Sequence, residues 1–352
     1  MTLAAFAKWT RARVRLAHCP RELKRPALTP DCRILRQPCG LPLCLSEKLH
    51  GSITAVTVHI SVRPLLRRSI CDPFCLQGYP EKGLYIMINI QNYVQAESLE
   101  EAYQLNQKKS GRIIGGMLWM KMARNTVGTA IDLCRLGLDA IEETEEEFSI
   151  GAMVALRQLE THPGLNAYTC GAAARAVQDI IGVQFRNMAT VGGSIWGRFG
   201  FSDVLTLFLA MDSYVELYKG GIIPLETFAA MKQDNDILVR ILVRKKPGLF
   251  TYQAMRIQRT DFPVLTCALS QVEGEYRAVI GARPGRAMVI RDKRELLKDG
   301  ITEDSARAFA AYTAESVPTG SNVRGSAAYR THLVNVLAKR SALELGGMQK
   351  WN

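Results

Sequence analysis

The run Gln184-Phe185-Arg186-Asn187-Met188-Ala189-Thr190-Val191-Gly192-Gly193-Ser194 reads as an element ending in a diglycine loop between two hydroxyl residues. A glycine pair removes the Cβ atoms that keep a ligand off the backbone and permits positive φ, so consecutive N–H groups can converge on an anion. The hydroxyls of Thr190 and Ser194 can each bond a phosphate oxygen. A second diglycine loop lies upstream, Ile113-Ile114-Gly115-Gly116-Met117-Leu118-Trp119, after residues 112–116 that read as a buried strand. By itself that pair reads as a tight strand-to-loop turn. Two such loops in one chain instead suggest a dinucleotide whose pyrophosphate is clamped from two sides. On this reading, a bulky residue at Gly192 or Gly193 abolishes binding while leaving most of the fold. Familiar nucleotide signatures are missing: there is no G-x-G-x-x-G between a strand and a helix, and no Walker loop.

Outward from the loops, the pattern is one of short elements. Ser98-Leu99-Glu100-Glu101 is a capping box that opens a helix through about Gln107. Residues 129–133 and 148–153 read as strands, the latter after an acidic hairpin turn over Glu142–Glu147. Residues 154–161 and 172–181 read as helices. Ser202 is placed as the N-cap of an apolar helix over 203–211, which makes Asp203 either a first-turn acid or an acceptor for sugar hydroxyls. Strands are expected at 214–218 and 237–243. Beyond Gly248 the pattern changes to three strands, 251–257, 264–272 and 276–282, and two helices, 303–316 and 327–345. Three strands then two helices form an α+β unit with its own core, which sets a boundary near 245–250.

Composition bounds the class. At 352 residues, 47% hydrophobic and 22% charged, the chain is an ordinary globular protein large enough for two or three compact units. Its net charge of +12 is unevenly placed: residues 1–86 hold 14 Lys and Arg against 5 Asp and Glu, so the body carries only +3. That argues against a nucleic-acid-binding protein, because the charged leader also lacks interleaved aromatics for base stacking. Six of the nine cysteines and eight of the 14 prolines lie in the same 86 residues. The leader's cysteine spacings match no tight zinc pair, and only residues 51–62 alternate as a strand would. A disordered or non-native leader is expected, with translation starting at Met87. A chain begun there should match the full chain in bound-dinucleotide content and melting. No disulfide framework is evident, which suits a reducing cytoplasm. No stretch reaches the roughly 18 apolar residues of a membrane span.

The motifs together resemble the FAD-binding subunits of the molybdenum hydroxylases, a family that includes carbon monoxide dehydrogenase medium chains and xanthine dehydrogenase flavin subunits. The resemblance rests on residues 112–116, Ala130-Ile131-Asp132-Leu133, Ser149-Ile150-Gly151-Ala152-Met153 and the run 184–194. In the second unit it continues through Arg259-Thr260-Asp261-Phe262-Pro263, Gly281-Ala282-Arg283-Pro284-Gly285-Arg286-Ala287 and Ser326-Ala327-Ala328-Tyr329-Arg330. It spans about Met87 to Leu345 and leaves residues 1–86 without a counterpart.

The resemblance implies an α+β fold: a two-subdomain FAD-binding domain of the vanillyl-alcohol-oxidase/PCMH type over 87–248, then a C-terminal domain of three strands plus helices over 249–352. It implies non-covalent FAD held by Gly115, Gly116, Met117, Leu118 and Trp119 and by Thr190, Gly192, Gly193 and Ser194, with Asp203 close to the flavin. Trp119 either stacks near the adenine or fills the core. Met117-Leu118 replace the family's usual Thr-Asp, and Ser194 its usual Asn. One or two side-chain hydrogen bonds to the cofactor are therefore missing, while backbone amides are retained. His162 reads as a helix cap and not as a flavin attachment site. Cys134, Cys170 and Cys267 are too far apart in sequence for an iron–sulfur cluster, which needs about four thiolates. Molybdopterin and 2Fe-2S clusters therefore belong to partner chains, a large and a small subunit. Electrons would pass through this chain's FAD to NAD or another acceptor in a cytoplasmic complex, with no catalytic side chain and no metal of its own. The competing reading is a self-sufficient FAD-dependent oxidoreductase without molybdenum partners.

Overall fold

The computed structural model describes residues 88–123 and 125–349. The leader, its cysteines and the strand expected at 51–62 lie outside the described residues. Among the described residues there are three sheets.

The first sheet is parallel, in the order β1 (Asn89–Gln95), β3 (Thr126–Asp132), β2 (Gly111–Ile114). Helix α1 (Leu99–Asn106) crosses from β1 to β2. Its start is the expected one: Ser98 Oγ accepts from the Glu101 N–H at 3.1 Å, and the Glu101 carboxylate accepts from the Glu97 N–H at 2.9 Å. Ile131 and Leu133 carry this sheet's apolar face onto Ile237 and Val239, so it packs against the strand that follows them.

The second sheet is antiparallel, in the order β4 (Ile141–Glu143), β5 (Glu147–Gly151), β8 (Leu238–Arg244), β6 (Ser213–Leu217), β7 (Gly221–Pro224). Between β5 and β6 run six short helices: α2 (Leu156–Thr161), α3 (Pro163–Tyr168), α4 (Ala172–Val177), α5 (Val183–Met188), α6 (Val191–Trp196) and α7 (Asp203–Ala210). Helix α8 (Leu225–Ala230) follows β7. Every residue of α7 is buried, as expected of a helix apolar all round. His162 does act as a cap, with Nδ1 accepting from the Leu165 N–H at 3.1 Å at the start of α3.

The third sheet is antiparallel, in the order β12 (Met288–Arg291), β11 (Glu275–Gly281), β10 (Pro263–Val272), β9 (Gly248–Arg256). It has four strands where the sequence pattern predicts three. The fourth is only four residues long, too short to show alternation above the surrounding loop. Helices α9 (Glu303–Ser316) and α10 (Ala327–Gln349) cover one face, with Leu249, Leu265, Cys267 and Leu269 packed under Phe309, Leu333, Val334 and Leu337. The opposite face, with Phe250, Tyr252, Ala268 and Val279, joins the core of the second sheet. Covered on both sides, β10 reads as a nearly continuous apolar run. This stacking sets the N-terminus of α7 directly against β9, where the candidate site lies.

Candidate functional site

Both diglycine segments follow β2 and α5 as expected, but their glycines are required for a different reason. None of Gly115, Gly116, Gly192 and Gly193 has positive φ; in this region the left-handed residue is Met117, at φ 57°. The constraint is the close approach of chain to chain. A Cβ on Gly116 would lie 1.8 Å from the Met188 carbonyl oxygen, and one on Gly115 would lie 2.6 Å from Thr190 Oγ1. A Cβ on Gly192 would meet the Ala152 carbonyl oxygen at 2.6 Å. Gly193 is exposed, and its Cβ would touch only Thr190 Oγ1, at 3.0 Å.

The bare amides are also distributed unevenly. Residues 190–196 form a capped helical turn and not an open loop. Thr190 Oγ1 accepts from the Gly193 N–H at 3.1 Å, the Gly192 N–H donates to Ala152 O at 2.9 Å, and the Ser194 N–H donates to Thr190 O at 3.1 Å. Those three amides are spoken for, which corrects the expectation of a second open nest. By contrast, none of the N–H groups of residues 115–120 donates to any described residue. The unpaired backbone donors are therefore concentrated on the first loop. Thr190 Oγ1 accepts but keeps its own hydrogen to give, whereas Ser194 Oγ already donates to Thr190 O at 3.0 Å.

Gly115, Gly116, Met117, Leu118, Trp119, Thr190, Gly193, Ser194 and Asp203 line one cleft of about 350 Å³ together with Arg256 and Thr260–Pro263. Gly192 lies beneath, on the wall of an adjoining pocket of about 460 Å³. The two cavities share Ile113, Gly115, Met120, Thr190 and Gly193, so they form one trough with the paired loops at its waist. The first cavity is walled by aromatic rings. Trp119 lies 5.3 Å from Phe262 and 5.7 Å from Phe201, Phe201 meets Phe262 edge-on at 4.9 Å, and Phe199 stacks on Phe201. Trp119 stands 42% exposed on the cleft wall, so it is not a core residue. The second cavity is the more polar of the two, with Asn106, Arg112, Gln233, Asp234, Asn235 and Asp236 among its lining residues.

Asp203 is held at the start of α7. Ser202 Oγ accepts from the Leu205 N–H and donates to Ser194 O at 3.0 Å, which fastens the start of α7 to α6. Asp203 Oδ1 accepts from the Tyr252 hydroxyl at 2.5 Å and from Arg256 Nη2 at 2.6 Å. Burial pushes its carboxyl above the ordinary aspartate value, and Arg256 and Tyr252 pull it back. Sequence reasoning assigned no role to Tyr252, Arg256, Phe199, Phe201 or Phe262. Phe262 was visible only as part of the Arg259–Pro263 motif, while Arg256 looked like an ordinary strand residue.

The arginine of the quoted run, Arg186, is buried and not directed at a ligand. Its Nε meets Glu160 Oε2 at 2.7 Å and ties α5 to α2. Burial opposes ionisation of Glu160, but hydrogen bonds from Arg186 and Arg157 outweigh it and hold the carboxyl below the ordinary glutamate range. A depressed folded-state pKa stabilises the protein above the unfolded value and loses that contribution as pH falls through the folded value. Chemical denaturation below pH 4.5 should therefore show acid loss that Glu160→Gln reduces; identical pH profiles for both proteins would refute this.

The residues fit a dinucleotide: a trough with a waist, a run of unpaired amides at that waist, and an open floor over Gly193. Residues 88–245 match the family described as the FAD binding domain in molybdopterin dehydrogenase, and residues 250–345 match the CO dehydrogenase flavoprotein C-terminal domain. The chain belongs to the FAD-binding subunits of the molybdenum hydroxylases. This flavoprotein subunit is 24% identical to the nicotine 6-hydroxylase medium subunit of Paenarthrobacter nicotinovorans, over 72% of the chain and 96% of the relative. It shares the fold of carbon monoxide dehydrogenase from Hydrogenophaga pseudoflava, with a TM-score of 0.66 at 22% identity over 73% of this chain and 97% of the other. It likewise resembles quinoline 2-oxidoreductase from Pseudomonas putida 86, with a TM-score of 0.67 at 20% identity over 73% and 96%. Among its described residues, no helix is long and apolar enough to cross a membrane.

Proposed function

We propose that this chain is the electron-transfer subunit of a molybdenum hydroxylase complex and holds one FAD non-covalently along the trough. The observation that carries the reading is the run of unpaired N–H groups over residues 115–120 at the waist between two cavities. Those amides and the Thr190 hydroxyl would hold the pyrophosphate, while Met117 and Leu118 contribute backbone only. The aromatic cavity suits the isoalloxazine, with Trp119, Phe201 and Phe262 excluding water from its faces. The polar cavity suits the adenosine half. Bound FAD supplies the redox chemistry, linking one-electron donors to a two-electron acceptor. The chain itself then needs only to bind, orient and shield, so no side chain is assigned a catalytic role.

Partners follow from the relatives, whose names include medium subunits and a medium chain. A molybdopterin-binding large subunit and a 2Fe-2S small subunit would feed electrons to this chain, and NAD or another acceptor would take them. Acid precipitation of the purified chain should release a yellow supernatant with the FAD spectrum. Colourless protein that takes up no added FAD would sink the proposal, and chains that co-purify from the native source would identify the partners.

A further inference from the structure

The Asp203 carboxylate has a one-sided environment. Both of its protein donors, Tyr252 and Arg256, lie on β9 of the second unit, and both bond Oδ1. No donor among the described residues reaches Oδ2, although Asp203 and Arg256 both line the aromatic cleft. All three side chains are more than nine-tenths buried. Arg256 is itself fixed at its other end, with Nη1 donating to Asp261 O at 2.7 Å beside Phe262. A buried carboxylate left without a cation reverts to its neutral form, so the guanidinium decides whether Asp203 carries charge at the cleft.

We propose that Tyr252 and Arg256 are positioning residues: they hold Asp203 ionised with Oδ1 satisfied, leaving Oδ2 as a fixed acceptor for an O–H or N–H of the bound cofactor. This rests on the FAD reading above. The arrangement ties retention of a ligand bound mainly by 115–194 to a strand of the other unit. The reach of Asp203 from α7 to β9 becomes part of the binding site.

The other charged and titratable groups nearby are already engaged or neutral. Asp179 is paired with Arg259 at 2.7 Å, and Asp261 faces Arg324 at 3.4 Å. The Cys267 thiol on β10 is pushed up to about 12 by burial. Arg330 on α10 donates only to carbonyl and amide oxygens. Loss of Arg256 would therefore leave no neighbouring cation free to replace it. The Asp203 carboxyl would then protonate at higher pH than in the parent protein, and FAD would be released at higher pH.

The test is titration of FAD into the full-length chain stripped of flavin, from pH 5 to 8.5, with melting followed in parallel. Arg256→Met should weaken binding at least tenfold at neutral pH and shift the acid-side loss of affinity upward by one pH unit or more. Arg256→Lys should recover much of that shift. Tyr252→Phe should weaken binding about threefold, and Asp203→Asn should bind weakly with no acid limb of this origin. A purely structural role would lower melting temperatures without moving the pH limb. Parent-like affinity and pH limb in a folded Arg256→Met would overturn the inference. If Arg256→Met does not fold, Tyr252→Phe carries the test, and parent-like affinity in that variant would overturn it. A parent chain that binds no FAD would instead overturn the functional reading.

Discussion

Valine at Gly193 is expected to give a folded chain that no longer retains FAD, whereas valine at Gly116 is expected to prevent stable folding. The two positions are equivalent in a sequence motif but not in space. At Gly193 the new side chain meets only Thr190 Oγ1, at 3.0 Å, and otherwise projects from an exposed turn into the trough. It would block the approach of an anion to the Thr190 hydroxyl and the 115–120 amides. Losing one or two charge-assisted hydrogen bonds, at about 1.5–3 kcal/mol each, lowers affinity roughly tenfold for one weak bond and more than 1,000-fold for two strong ones. At Gly116 a Cβ falls 1.8 Å from the Met188 carbonyl oxygen, a backbone atom that cannot turn aside. The two loops must separate, at a cost of about 3 kcal/mol or more. Gly192 belongs with Gly116, since its Cβ meets Ala152 backbone. Circular dichroism melting and flavin content of the two variants make the comparison. A Gly193→Val protein with full flavin content would remove the pyrophosphate from the waist, and a Gly116→Val protein that melts like the parent would deny the packing argument.

That contrast also shows what was legible in the chain. Element positions could be read wherever the signal is local: the Ser98 cap, the Ser202 cap, the apolar α7 and both C-terminal helices lie where the sequence places them. The diglycine pairs come together in the fold, and nine of the ten candidate residues line one cleft. Their mechanism was not legible, because motif spacing cannot tell whether a glycine faces a ligand or a carbonyl from a distant loop. The division of labour between the loops depends on the bonds from Gly192 to Ala152 and from Gly193 to Thr190, one of them a long-range contact. Tyr252 and Arg256 were missed for a related reason: on β9 they fit an ordinary strand, and only Asp203, reaching them from α7, gives them a partner. Phe199 and Phe201 lie on the connection from α6 to α7 and Phe262 on that from β9 to β10, so they become a wall only once β9 and β10 are in place.

Arg330→Met should lower the melting temperature by about 10 °C. Arg330 is 1% exposed, an unusual state for arginine. No carboxylate pairs with it among the described residues; it is held by oxygens alone. Nε donates to Val264 O at 2.9 Å, Nη1 to Gly320 O at 2.8 Å and Gly325 O at 2.5 Å, and Nη2 to Asn322 Oδ1 at 2.7 Å. One planar fork thus clamps the 320–325 turn to the start of β10. Burial pulls its pKa down, but a guanidinium stays protonated and keeps its donors. Removal takes the guanidinium from four acceptors, of which Asn322 Oδ1 keeps the Arg324 N–H and Gly325 O keeps the Asn322 N–H while Val264 O and Gly320 O lose their side-chain donor. The loss is about 3 kcal/mol, and each kcal/mol moves the melting point of a chain this size by about 2–4 °C. Lysine offers a point charge in place of the fork and should recover little. Arg307→Met is the control, because its bonds to Glu303 and Asp304 are exposed and worth at most about 1 kcal/mol. The damage should also reach the cleft. The clamped turn carries Arg324, whose guanidinium lies 4.7 Å over Phe262 and 3.4 Å from Asp261. Flavin should therefore dissociate faster from Arg330→Met at temperatures where the variant is still folded. A melting shift under about 3 °C would show that water takes over the orphaned carbonyls and that the turn does not need the fork.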